Sequence, residues 1–408
     1  MLIQTSSRYY GGLIIFACAI GMAMSVPIFI IYGFGIFIDP LAEALNTGRG
    51  EISLALTIGI FGNLAAGPII GILGDRFGAR RMILIGVVAL CLILASFSLV
   101  QTITQLYLAS LCLVLLGAGT GPITYTRIIA AWFNKRRGLA LGLALTGIGI
   151  GGALVPIIGQ ALISEFGWRI AYQYLAVMVF LVSFPLLFLI LRDRPPRIQE
   201  SATSEPLQES TIPDEEGLSV RDAMKQRRFW FLAIGFLFIA IGNSGVLVHL
   251  PPLLTDAGLT PEKAALYAGV MGIGVTFGRA IAGFLLDIYH APYVAIFFLA
   301  GPFMAFSFFL SGFDPYWAFI PTLLFGIGMG AEFDVIPYLV TRYFGLKNFG
   351  AIYGIQISTF SVGTGLGAAV MGFGYDKFGN YDPTLVVAMV ALLIGCALIV
   401  RLGSYRFT

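Results

Sequence analysis

One arginine lies deep inside an apolar stretch of this sequence, where a positive charge is costly. Arg279 falls within GVMGIGVTFGRAIAGFLLD, ten residues after Gly269 and eight before Asp287. A charged side chain at the centre of a membrane helix costs about 2.5 to 3.5 kcal/mol on insertion scales. Two interpretations stay open: an ion pair with another helix, or an anion-binding site in a water-filled path. We prefer the anion site.

Two carboxylates in a second apolar stretch are candidates for the opposite charge. Glu332 and Asp334 lie in GIGMGAEFDVIPYLV and are the acids that we place within the membrane. A carboxylate in a low-dielectric path takes up a proton more readily when a neighbouring cation leaves it. We therefore expect proton coupling at these acids, with Asp334 as first choice, pairing with Arg279 or Arg127 when the site is empty. A fixed bridge between helices is the alternative.

The chain that positions these residues has the composition of a membrane protein. Of its residues, 58% are apolar and only 11% are charged. Twelve apolar runs reach the roughly 20 residues needed to cross about 30 Å of hydrocarbon as a helix. They cover residues 11–37, 51–74, 81–100, 105–131, 138–164, 168–191, 229–254, 262–287, 291–311, 315–342, 349–373 and 383–402. The sequence predicts an all-α polytopic membrane protein whose first run is a retained helix.

The basic residues indicate the orientation of these helices. When the loops are assigned to alternate sides, eighteen of the 24 Lys and Arg fall on one side and four on the other. This asymmetry predicts a multi-pass protein of the cell (inner) membrane with both termini in the cytoplasm. Polar residues 192–228 predict a cytoplasmic linker with a short amphipathic helix at 219–226. The linker separates a six-helix bundle at 1–191 from another at 229–408.

The two halves carry matching segments. GPIIGILGDRFGARR is echoed by GRAIAGFLLDIYHA, which aligns Gly71 with Gly283 and Asp75 with Asp287, both 212 residues apart. Parallel six-helix repeats joined by a long cytoplasmic loop are typical of transporters that bind substrate near the midplane.

The first of these segments resembles the loop signature of the major facilitator superfamily. The matching residues are Gly71, Asp75, Arg76, Gly78, Arg80 and Arg81. Ala79 departs from the pattern, because the family often has a basic residue there. The resemblance implies twelve helices in two pseudo-symmetric six-helix bundles. It also implies a gate and conformational latch, which we assign to Asp75, Arg76, Arg80, Arg81, Arg127 and Asp287. The alternative is that these charges only set the topology.

A narrower resemblance is to the monocarboxylate transporter and oxalate:formate antiporter group, as a bacterial-type member. WFNKRRGLALG, HLPPLLTDAGLTPEKAA and FGWR carry it, whereas the first-helix signature of the eukaryotic members is missing. Arg279, followed by Gly283, matches the arginine that binds substrate carboxylate in this group. Its usual acidic partner one turn earlier is replaced here by Val275.

The same resemblance suggests further residues of the substrate path. Helices one, four, seven and ten line the cavity in this superfamily, which favours Tyr125, Glu332, Asp334 and Tyr338 as residues of the path. Related carriers place a histidine beside the substrate path at the position of His249, where it would suit a proton relay with Asp256 or the entering substrate as its partner. Gln356 stands where the oxalate group has a lysine. Arg279 as a single cation in the path suits a monocarboxylate better than oxalate, unless Arg127 supplies a second charge. Ordinary helix packing is the alternative for each of these side chains.

Other chemistries lack their residues in this sequence. The four Cys show no CxxC spacing, two His cannot complete a zinc site with them, and no GxxxxGK[ST] occurs. We expect no enzyme activity, cofactor, metal site or nucleic-acid partner. The expected function is secondary active transport of a small organic anion, most simply lactate or pyruvate, by proton symport with alternating access in a monomer. The runners-up are organic-anion antiport and proton-driven drug export.

Overall fold

The computed structural model describes residues 2–133, 137–193, 217–312, 314–345 and 347–407. Within these ranges the chain is almost entirely helical, apart from one isolated bridge between Gly217 and Gly345. Most of the linker predicted at 192–228 lies outside the described residues. Its described part contains the helix Val220–Met224, inside the predicted 219–226.

The helices of the described ranges follow the predicted runs closely. They are α1 (Leu2–Ala23), α2 (Ile38–Leu45), α3 (Arg49–Phe77), α4 (Ala79–Phe97), α5 (Ile103–Gly117), α6 (Pro122–Trp132), α7 (Arg137–Ile190), α8 (Val220–Met224), α9 (Arg227–Asp256), α10 (Pro261–Ile288), α11 (Ala291–Leu310), α12 (Phe319–Phe344), α13 (Phe349–Phe378) and α14 (Asp382–Val400). Eleven helical spans among them are long and apolar enough to cross a membrane.

The longest of these spans is two membrane helices joined end to end. An unbroken helix of the 54 residues in α7 would be about 80 Å long, far more than a bilayer is thick. Gly167 interrupts it with a φ of 77°, a conformation that glycine adopts without strain. The predicted runs 138–164 and 168–191 lie on either side of this residue. Division at Gly167 gives the twelve predicted spans.

The first predicted run, 11–37, is not one continuous helix. α1 ends at Ala23, and a π-helix at Ile28–Tyr32 and a 3-10 helix at Phe34–Phe37 follow. Pro27 provides no backbone N–H for the carbonyl four residues earlier, so the regular hydrogen-bond ladder stops here. Tyr32, the last residue of the π-helix, lies against α7, where a Cβ added at Gly152 would be 2.9 Å from its ring.

The two six-helix bundles meet through closely packed helix pairs, α7 with α10 and α3 with α13. A Cβ added at Gly272 would lie 2.5 Å from the backbone nitrogen of Ala153, and one at Gly149 would overlap the Thr276 hydroxyl. Small residues allow such backbone contact between membrane helices. We call the end of the molecule where these contacts and Arg49 lie the closed end.

The same helix faces separate toward the opposite end, where the chain termini lie. Gly142 is two helical turns before Gly149 on α7, and Gly283 is two turns after Thr276 on α10. A Cβ added at Gly142 or Gly283 would meet no described atom within 4 Å. The bundles therefore diverge toward this end, which we call the open end.

Arg49 ties the two bundles together at the closed end. Its Nε donates to Asp39 at 2.7 Å in its own half. Its Nη1 and Nη2 donate to the two carboxylate oxygens of Asp256 in the other half, at 2.5 and 2.9 Å. Nη1 also donates to the Tyr381 hydroxyl at 3.0 Å. A planar guanidinium suits such a bidentate contact, and the side chain is only 12% exposed.

The backbone at the start of α3 adds a second link between the halves. Asp376 of α13 accepts the backbone N–H of Arg49 at 2.9 Å and that of Gly50 at 2.8 Å. A carboxylate is favourable at a helix N-terminus, where N–H groups lack partners. Burial raises the pKa of Asp39, and the Arg49 guanidinium opposes this shift. Arg49 therefore compensates the partial burial of acids from both halves.

Replacing Arg49 with alanine should loosen the closed end, because Asp39 and Asp256 lose their cation while the backbone links to Asp376 remain. A loss of about 2 kcal/mol, within the range for hydrogen bonds to charged groups, shifts a two-state equilibrium about 30-fold. We expect spin labels at the exposed positions Glu43 and Asn380 to gain a longer distance in pulsed EPR measurements.

Arg169→Ala is the matched control for this experiment. Arg169 also lies near the closed end, but its guanidinium bonds to the Val100 carbonyl within the same half. Its replacement should leave the label distances as they are in the wild type. An unchanged distance distribution in Arg49→Ala would contradict the role that we give to Arg49.

Candidate functional site

The centre of the second half holds an ion pair between α10 and α12. Arg279 Nε lies 3.4 Å from Asp334 Oδ2, and Nη2 lies 3.4 Å from Oδ1. The side chains are 17% and 32% exposed, so the pair is shielded but remains reachable. The structure thus joins two residues that the sequence proposed as partners.

Glycines explain why these two helices can bring the charges together. A Cβ added at Gly278 would overlap the Ile327 carbonyl oxygen, and one at Gly330 would overlap that of Val275. The backbones of α10 and α12 are therefore in direct contact on the turns next to the ion pair. Val275 holds the position where relatives carry an acid, and α12 supplies the acid from across this contact instead.

Two tyrosines that the sequence analysis missed lie around the ion pair. Tyr353 of α13 is within electrostatic range of both Asp334 and Arg279. Tyr32, from the first half, is within range of Arg279 and Glu332. A phenol can donate to a carboxylate or accept from a guanidinium. The signals in the sequence were weak: Pro27 marks the break before Tyr32, and Tyr353 has no distinctive neighbours. We call these four residues, Arg279, Asp334, Tyr32 and Tyr353, the central site.

Glu332, the other acid of α12, faces away from this ion pair. Its side chain is buried, and its Oε1 accepts a hydrogen bond from the Asn243 amide of α9. Asn243 was not predicted from the sequence, although an amide between Gly242 and Ser244 in an apolar run indicates a buried polar contact. The two proposed acids therefore occupy different environments.

His249 lies at the closed end rather than beside the central site. It is fully buried and contacts Ser53, Tyr381 and the Ala368 carbonyl, rather than Asp256, which was the proposed partner. A carbonyl can only accept, so Nε2 of His249 carries the proton. It donates to the Ala368 carbonyl at 3.2 Å and to the Ser53 hydroxyl at 2.9 Å. Nδ1 then accepts from the Tyr381 hydroxyl at 2.9 Å.

The hydrogen bonds of His249 extend into a closed circuit with Arg49. The guanidinium of Arg49 donates to Tyr381, whose own hydroxyl donates to His249. His249 donates to Ser53, and the Ser53 hydroxyl donates to the Arg49 carbonyl at 2.7 Å. This protonation pattern satisfies each member with a neutral imidazole.

Tyr125 and Gln356 are packed within their own halves. Tyr125 is fully buried, and its ring lies against α1, where a Cβ on Gly21 would overlap the hydroxyl. Gln356 is 1% exposed, and its Nε2 donates to the Phe229 carbonyl at 3.4 Å. The described contacts do not bring either side chain to Arg279.

Tyr338 lies one turn beyond Asp334 toward the open end. Its hydroxyl accepts a hydrogen bond from Arg342 Nη2 at 3.2 Å. The Arg342 guanidinium also lies 5.5 Å from the centre of the Tyr405 ring. Tyr338 therefore lies on the same face of α12 as Asp334, one turn nearer the open end.

The proposed latch residues lie at the open end, and the contacts described for them stay within the first half. Arg80 donates to the Phe188 carbonyl at 2.7 Å, and its backbone N–H to Asp193 at 2.8 Å. Arg127 lies against α3, with Nη1 3.4 Å from a Cβ added at Gly74. Arg76 and Arg81 are exposed. The side chains of Asp75 and Asp287 lie outside the described part of the structure.

Comparisons with known proteins agree with this architecture. Monocarboxylate transporter 13 of Bos taurus is 28% identical over 92% of this chain and 86% of its own length. The MFS-type transporter YcxA of Bacillus subtilis is 24% identical over 91% of this chain and 90% of its own. A bacterial homologue of the human lysosomal transporter Spinster, solved in an inward-facing and occupied conformation, is 17% identical. It aligns over 96% of this chain and 97% of its own with a TM-score of 0.72. Residues 11–368 match the Major Facilitator Superfamily, and the chain belongs to that family.

Proposed function

We propose that this chain carries a small monocarboxylate, such as lactate or pyruvate, across the membrane together with a proton. Membership of the superfamily makes it a membrane transporter of a small molecule rather than an enzyme. The finer assignment rests on one observation, the bidentate pairing of Arg279 with the carboxylate of Asp334. A substrate carboxylate that displaced Asp334 would find the same two donors.

The number of cations favours one carboxylate over two. Arg279 is the guanidinium at the central site, whereas Arg127 lies against α3 and Gln356 donates to a backbone carbonyl. Because a guanidinium fork matches a single carboxylate, the arrangement suits a monocarboxylate better than oxalate. The relatives named as monocarboxylate transporters point to the same substrate class.

Asp334 is the proposed carrier of the coupled proton. In the empty site it is ionised and pairs with Arg279, which compensates both charges in a poorly solvated place. When the substrate carboxylate takes the guanidinium, Asp334 loses its cation and takes up a proton. Substrate and proton then bind together and leave together, which is the requirement for symport.

The basic residues suggest which side of the membrane each end faces. The open end carries the termini and the larger share of Lys and Arg, so we place it in the cytoplasm. The structure then corresponds to an inward-facing state, with Arg49 closing the outer side. The contacts of Arg80 within its own half fit a latch that is released in this state.

Uptake of labelled lactate by proteoliposomes under an inward proton gradient tests the role of Arg279. Wild-type uptake should require the gradient. Arg279→Ala should reduce substrate affinity about 100-fold, since two charged hydrogen bonds contribute about 3 kcal/mol. Arg279→Lys keeps the charge without the fork and should be intermediate.

Two outcomes of this experiment would contradict the proposal. Undiminished uptake by Arg279→Ala would remove the central arginine from the substrate site. Wild-type protein that ignores lactate but exchanges another anion without a gradient would favour the antiporter. In that case a panel of organic anions identifies the substrate.

Asp334→Asn should separate transport from its driving force, because asparagine mimics the neutral acid but cannot release a proton. We expect gradient-driven uptake to fall to the level measured without a gradient. Exchange of labelled for unlabelled substrate across the membrane should continue. Proton-driven uptake that survives in Asp334→Asn would show that another group carries the proton.

A further inference from the structure

The contact between Glu332 and Asn243 leaves two complementary atoms without partners. Both side chains are buried, with 4% and 0% of their surface exposed. The Asn243 amide nitrogen donates to Glu332 Oε1. Glu332 Oε2 and Asn243 Oδ1 are also buried, and neither has a hydrogen-bond partner among the described residues. Buried polar atoms without partners are rare in folded proteins, so this pair of atoms requires a physical explanation.

A proton on Glu332 would satisfy both atoms at once. An ionised carboxylate only accepts hydrogen bonds, and so does an amide oxygen, so Oε2 and Oδ1 cannot bond as they stand. A protonated carboxyl has one O–H donor, which can point from Oε2 to Asn243 Oδ1. Together with the existing bond this closes a ring of two hydrogen bonds between a carboxylic acid and a carboxamide.

The surroundings of Glu332 also favour the neutral form. On one side it borders a small apolar gap between α9, α11 and α12, lined by Phe236, Ile239, Ala295, Phe298, Leu299 and Val335. Among the described residues, Tyr32 is within electrostatic range of Glu332, and Asp334 lies two residues along the same helix. Arg279, the cation of the central site, pairs with Asp334. Burying a further carboxylate without its own cation is strongly unfavourable.

We propose that Glu332 binds a proton as a carboxylic acid held against Asn243, and that this proton stays bound while Asp334 takes up and releases the coupled proton. The two acids of α12 therefore have different roles. Glu332 is a fixed proton site, and Asp334 is the site that changes its charge.

The fixed proton sets the charge that the central site offers to a substrate. With Glu332 neutral, protonation of Asp334 leaves Arg279 with one net positive charge, which matches one carboxylate. With Glu332 ionised, the same step would leave no net charge, and an anion would be attracted less. This consequence rests on the proposed function, whereas the protonation of Glu332 does not.

Infrared spectroscopy of the purified full-length protein tests the protonation directly. The wild type at neutral pH should show the C=O band of a protonated carboxyl, and Glu332→Gln should lose it. Asp334→Asn is the matched control on the same helix and should keep the band. Asn243→Leu should move the band to higher frequency, because the acid loses its hydrogen-bonded partner. A spectrum of Glu332→Gln that matches the wild type would overturn the proposal.

Transport measurements separate this proposal from the proposed function. In Glu332→Gln, lactate uptake should still respond to the proton gradient, because glutamine can form the same two-bond ring with Asn243. If exchange continues but the gradient no longer drives uptake, Glu332 carries the coupled proton, and the proposal that its proton stays bound is wrong. If the wild type transports no monocarboxylate, the proposed function fails while the infrared result for Glu332 stands.

Discussion

The structure depends on compensating one guanidinium in the middle of a membrane helix. Arg279 is stabilised where it lies because α12 brings Asp334 within 3.4 Å. That approach requires Gly278 and Gly330, whose missing side chains allow the two backbones to touch. The ion pair and the two glycines therefore depend on one another. Loss of either charge leaves the other buried without a partner, and a larger side chain at either glycine would push the two helices apart.

The two ends of the molecule use charge in different ways. At the closed end, Arg49 donates hydrogen bonds to Asp39, Asp256 and Tyr381. These bonds hold helices of both halves together. At the open end, the described contacts of Arg80 lie within the first half. The central site lies between an interface where the two halves are joined and one where they separate.

The sequence predicted the fold well because membrane helices are encoded locally. Apolar runs gave twelve spans, and the pairing of Arg279 with an acid of α12 followed from the need to balance a buried charge. The roles of Arg49 and Asn243 could not be predicted in this way. Each depends on a partner far along the chain, and composition alone shows Arg49 as a loop charge and Asn243 as one polar residue in an apolar run. The proton relay suggested for His249 likewise depended on neighbours that periodicity does not reveal.

In the transport cycle that we propose, the closed end must open, and its hydrogen-bond circuit resists opening link by link. Arg49, Tyr381, His249 and Ser53 each donate to the next, and each hydroxyl has a single proton to give. Breaking one link leaves the next donor or acceptor buried without a partner, so partial opening is penalised at every step. The circuit therefore favours an all-or-none transition, in which the closed end is either sealed or fully hydrated and half-open states are sparsely populated.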